Sequence, residues 1–97
     1  MYFLKYKVLP ALNGPHNGKY GETLALCWIA QPTQDNAEQR ACKSVQEAGW
    51  SILSLEEAYP VALEDIDPQH PSHNFFLRAR ESGEYIFFVT GPMKKPN

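Results

Sequence analysis

Cysteine is scarce in this chain: Cys27 and Cys42 are the only two, and neither belongs to a CxxC pair or a tight Cys/His cluster. Two cysteines do not make a disulfide framework, and zinc signatures require more ligands at a defined spacing. No metal or other cofactor is therefore expected. Positive charge is also in short supply. Nine Lys and Arg are scattered among eleven Asp and Glu, for a net charge of −2. Nucleic-acid binders draw most of their affinity from phosphate contacts and show a basic excess, so a nucleic-acid partner is disfavoured. An RRM-like nucleic-acid binder, using sheet aromatics with Lys5 and Lys7, is the weakest reading. No apolar run approaches the ~20 residues of a membrane helix. The opening MYFLKYKVLP is broken by lysines and lacks a small-residue cleavage site, unlike a signal peptide. These absences point to an intracellular, cytoplasmic protein with no membrane attachment. A phosphate loop is missing too. Only three residues separate Gly14 from Gly18, Tyr20 follows Lys19, and a strand rather than a helix comes next.

What is present suits one globular domain over residues 1–90, with 91–97 (GPMKKPN) as a flexible polar tail. Hydrophobic residues make up 43% and charged residues 21%, ordinary for a folded chain. Residues 2–9 alternate with period two, as a strand does. NGPHNGKYGE reads as a loop between strands. Residues 23–31 are apolar on both faces, the mark of a central strand. The period then changes. Thr33 and Asp35 are cap-type residues, and Asp35 with Glu38 resembles a capping box. Ala37, Ala41, Val45 and Ala48 form a helical stripe that ends at Gly49. Residues 50–57 return to strand character, 58–67 read as an edge strand or an irregular connection, 72–82 as a second helix, and 84–90 as the last strand.

The order β-β-α-β-(β)-α-β predicts an α+β two-layer sandwich of ferredoxin-like type. Its sheet would have four to five strands, mixed or antiparallel, with two helices on one face and residues 23–31 paired in parallel with 50–57. The likeness is one of architecture, which assigns no function.

Three features carry candidate chemistry. In DIDPQHPSHNFF, Asp67, His70 and His73 lie three apart and could serve as acid–base groups. Against this, Pro71 would fall in the interior of a helix capped by Asp67, so Ser72 is the better cap and His70 lies outside the helix. Phe75, Phe76 and Ala79 then read as core. Second, Glu56, Glu57, Glu64, Asp65 and Asp67 place five carboxylates within twelve residues, either a solvated edge or a docking surface for a basic partner. Third, with both helices on one face the sheet's other face, carrying Trp28, Tyr85 and Phe87, needs a cover. A homodimer is the commonest solution, and a groove for an apolar ligand is the competing one. Both cysteines read as structural.

The sequence thus suggests a small binding or regulatory module acting through a sheet face, toward itself or another protein, with no catalytic constellation. The alternative is a small α+β enzyme or apolar-ligand binder with a pocket between sheet and helices that uses His70 and His73.

Overall fold

The computed structural model describes residues 1–90; the expected tail, 91–97, lies outside the described residues. Strand β1 (Tyr2–Pro10) alternates as its sequence does: Leu4, Tyr6 and Val8 are buried on one face, while Phe3, Lys5 and Lys7 lie on the other. A turn-rich loop leads to β2 (Thr23–Ile29), which runs antiparallel to β1 with Phe3 opposite Trp28 and Leu4 opposite Cys27. Helix α1 (Gln34–Glu47) follows. Its N-cap is Thr33, whose hydroxyl accepts the Asn36 N–H at 3.2 Å. Asp35 therefore sits in the first turn, where a negative charge suits the helix dipole. The expected capping box does not form; Glu38 instead accepts a hydrogen bond from Gln34. Gly49, at φ +97°, ends the helix in the left-handed conformation, and a Cβ there would meet the Pro15 ring at 2.9 Å.

Strand β3 (Trp50–Pro60) is longer than expected and pairs antiparallel with β1. A 3-10 turn (Leu63–Asp65), helix α2 (Pro71–Ser82) and strand β4 (Glu84–Thr90) complete the described residues. The segment 58–67 thus divides: its first residues extend the β3 edge, and the rest is a connection. Among the described residues the sheet has four strands in the order β3-β1-β2-β4, all antiparallel neighbours. Two expectations are corrected here. Residues 23–31 and 50–57 do not pair in parallel, because β1 lies between them. Nor do the helices share a face. Ala37, Ala41 and Val45 of α1 pack on Leu4, Tyr6, Val8, Ala25, Cys27 and Ile29. Ala79 and Phe75 of α2 pack on Phe3, Trp28, Leu26 and Tyr85. Neighbouring residues on a strand point to opposite faces, so each face of the sheet has its own helix. That also answers the question of what covers Trp28: α2 does.

No helix among the described residues is long and apolar enough to cross a membrane.

Candidate functional site: an aromatic cleft beside α2

Helix α2 is too short to cover its whole sheet face, and a cleft of about 440 Å³ opens beside its first turn. Phe3, Leu26, Trp28 and Phe87 form the floor, from three neighbouring strands. Tyr59, Pro60 and Val61, where β3 runs out, make one wall. The chain is held there by the Val61 N–H, which donates to the Met1 carbonyl at 2.9 Å. Asp65 and Ile66 from the connection, with His70, Ser72 and Phe75 from the start of α2, make the other wall.

The aromatic rings support one another. Phe3 lies between Trp28, at 5.0 Å, and Tyr59, at 5.1 Å. Phe75 stacks on Tyr85 at 4.7 Å and on Phe87 at 5.6 Å, and tilts against Trp28 at 5.1 Å. Such pairs are each worth about 0.5–1.5 kcal/mol beyond the area they bury. They join the rings of the floor to one another while leaving Tyr59 and Phe87 48% and 42% exposed. A preformed apolar floor that stays open to solvent is characteristic of a binding surface.

The polar groups gather at the α2 end. Helix α2 begins at Pro71, one residue earlier than expected, and its cap is His70 rather than Ser72. Proline at the first helical position is favoured, because its missing N–H would have no partner there anyway. The His70 Nδ1 accepts the Ser72 N–H at 3.1 Å and lies 2.6 Å from the Ser72 hydroxyl. An Nδ1 that accepts places the neutral ring's proton on Nε2, which remains a donor. Asp67 builds the preceding turn, its carboxylate accepting the Gln69 N–H at 2.9 Å.

Of the residues singled out from the sequence, Trp28, Phe87, Asp65 and His70 come together around the cleft. Tyr85 lies behind it, beneath Phe75, with the Arg78 guanidinium 5.7 Å over its ring. Asp67, His73 and Glu64 are outside the lining. Glu57 pairs with Lys5 at 3.2 Å, and Glu56 with Lys7 at 3.6 Å. Lys7 also reaches Glu22 at 3.4 Å; this bond and the surrounding carboxylates raise its pKa. The acidic run is thus divided between β3, where Glu56 and Glu57 pair with lysines, and the connection that carries Glu64, Asp65 and Asp67. Among the described residues no group of three His, Cys, Asp or Glu is placed to hold a metal ion.

Comparison with protein-family models, curated proteins and solved structures found no match.

Phe3, Leu26, Tyr59, Val61 and Phe75 are lining residues that the sequence alone does not single out. The alternation of β1 and β2 assigns Phe3, Leu26 and Trp28 to one side each of their strands. What it lacks is the pairing register that sets Phe3 opposite Trp28. The two cysteines take structural positions. Cys27 is fully buried and Cys42 donates to the Tyr6 hydroxyl at 3.7 Å, both on the α1 side of the sheet.

Proposed function

We propose that the protein is a binding module whose cleft takes a small, uncharged, largely aromatic molecule bearing one hydrogen-bond acceptor, and performs no chemistry on it. The observation that carries this reading is the open floor of Phe3, Trp28 and Phe87 with its polar groups confined to one end. Flat, rigid rings favour an aromatic occupant. The His70 Nε2–H supplies a donor, and the Asp65 carboxylate disfavours an anionic ligand. The volume suits a molecule at the small end of the usual ligand range. Acid–base chemistry at His70 has less in its favour, since Nδ1 is occupied by the helix cap and makes no bond to a carboxylate.

The test is an NMR titration of the whole chain with 4-phenylphenol, a neutral biaryl with one hydroxyl. We expect saturable shifts confined to the amides of Leu26, Trp28, Val61, Phe75 and Phe87, with a Kd of about 0.1 mM for a fragment of this size. Leu26→Trp, which fills the floor, should abolish them. Shifts that do not saturate, or that fall mainly on the α1 side, would overturn the reading.

A further inference from the structure

The sheet has two edges, and they are built differently. On the β3 edge the pairing register slips twice, leaving Leu53 and Glu56 unpaired with β1. That strand also carries two adjacent glutamates and ends in Pro60. Bulges, charges and proline are the usual means by which an edge is kept from pairing with another strand. The β4 edge has neither bulge nor proline. Glu84–Thr90 (EYIFFVT) pairs with β2 without a register shift, contains no proline, and has one charged residue, at its first position. That charge is already neutralised by Arg40 at 2.8 Å.

The hydrogen-bonding groups of β4 can be assigned to sides. The Gly83 carbonyl accepts the Ala30 N–H at 3.0 Å, so residue 83 directs its carbonyl toward β2. Alternation then turns the N–H and C=O groups of residues 84, 86, 88 and 90 outward. The Glu84 carbonyl agrees, since it accepts from the Ser82 hydroxyl at 2.9 Å rather than from β2. Ile86 and Phe88 are thus left with outward backbone groups that have no partner strand among the described residues.

We propose that β4 pairs antiparallel with β4 of a second copy, in the register that sets Phe87 opposite Phe87. In that register Ile86 lies opposite the second copy's Phe88, an outward residue facing an outward residue, so each such pair exchanges two backbone hydrogen bonds. Tyr85 faces Val89, an aromatic opposite a β-branched side chain, which is a favourable cross-strand pair. Glu84 faces Thr90, and no like charges meet. The strand is complementary to itself in both backbone and charge. Pairing of β4 with the β3 edge would instead build an open-ended array, and the two bulges and glutamates of β3 oppose it. The two-fold axis runs between the Phe87 residues, perpendicular to the sheet. Two four-stranded sheets become one of eight strands, with both clefts on the same side. Phe87 lines the cleft, so each copy extends the other's aromatic floor. The pairing stands on the edge alone and does not require that the cleft binds a ligand.

The experiment is sedimentation equilibrium on the whole chain, on Phe87→Lys, on Phe87→Glu and on their equimolar mixture. The unaltered chain should show a monomer–dimer equilibrium. Each variant should associate at least about tenfold more weakly, because like charges would meet at the axis, and the mixture should recover the dimer. Mild oxidation of Phe87→Cys should give a disulfide-linked dimer beyond the background of the unaltered chain, while Val89→Cys, which faces Tyr85, should not. A chain that stays monomeric throughout overturns the proposal. So does a dimer indifferent to both charges at position 87, or equal crosslinking at 87 and 89.

Discussion

The guanidinium of Arg40, midway along α1, and the carboxylate of Glu84, the first residue of β4, meet at 2.8 Å from Nε to Oε1. The Ser44 hydroxyl, one turn further along α1, donates to the same oxygen at 3.0 Å. One helix face thus clamps the start of the strand that follows α2, and links the two helical layers across the sheet edge. The pair is only partly exposed, with side-chain accessibilities of 37% and 28%, so it should be worth more than a surface ion pair. We expect Arg40→Ala to cost about 1 kcal/mol, read as a lower urea midpoint at unchanged slope.

Gly83 couples to the same clamp. It closes α2 at φ +93°, its N–H donating to the Ala79 carbonyl at 2.7 Å, and a Cβ there would lie 2.7 Å from an Arg40 terminal nitrogen. Gly83→Ala therefore carries a backbone term and a displacement of the guanidinium. We expect a loss of about 1–2 kcal/mol in the unaltered background, and a smaller loss when Arg40→Ala is already present. A double-mutant cycle measures the difference. Strict additivity would show that the arginine swings aside without weakening its bond to Glu84.

These couplings show where the sequence is readable and where it is not. The period of residues 2–9, the Ala37/Ala41/Val45 stripe and the helix-ending Gly49 are local signals, and each element stands where it is expected. The layer to which α2 belongs is not a local property. The doubly apolar β2 does signal a second cover, but with both helices placed on one side that cover has to come from a partner. A single chain of this length supplies it, through a β3 that ends beneath Met1 and a connection that carries α2 to the far face. Once α2 covers Trp28, Tyr59, Phe87 and Val89 are among the large apolar side chains that stay exposed.

Burial of Cys27 makes the fold less stable at alkaline pH. The thiol is fully buried. Desolvation, with smaller contributions from Cys42 and Glu84, pushes its pKa from 9.0 up to about 12. The folded chain thus keeps this proton to a higher pH than the unfolded chain. Its contribution to stability is complete below about pH 9 and is lost as pH rises toward 12, by about 1.4 kcal/mol per pH unit. Tyr6 acts in the same direction: burial, then the hydrogen bond from Cys42, raises its pKa well above the usual range for tyrosine. Urea midpoints measured between pH 8 and 11 should fall, and Cys27→Ala should fall less steeply.

The same burial predicts how the thiols react. With an aromatic disulfide reagent at pH 8, Cys42, which is partly exposed, should react within the native state. Cys27 should react only at the rate at which the chain opens, and addition of urea should bring both thiols into one fast phase. Two fast thiols in native buffer would mean that the α1 layer opens far more readily than its packing implies.

At the site, the histidines are legible in the sequence as residue types but not as roles. The sequence sets His70 outside the helix and gives it no task; in the structure His70, and not His73, lines the cleft, because Pro71 fixes the first turn and leaves His70 as the cap. One side chain then has two tasks, closing the helix through Nδ1 and offering a donor through Nε2, and substitution can separate them. Asp is a strong cap but has no N–H to offer. We expect His70→Asp to preserve stability within about 0.5 kcal/mol while weakening 4-phenylphenol binding several-fold. His70→Ala should lose both, with a stability cost of about 1 kcal/mol. His70→Asn, which caps through its carbonyl and keeps an N–H donor, should retain the stability and part of the affinity. Thermal melts and the NMR titration read the two properties on the same samples. If binding tracked stability across all three variants, His70 would be a helix cap alone, and the hydroxyl of the ligand would have to find its partner at Ser72 or Asp65.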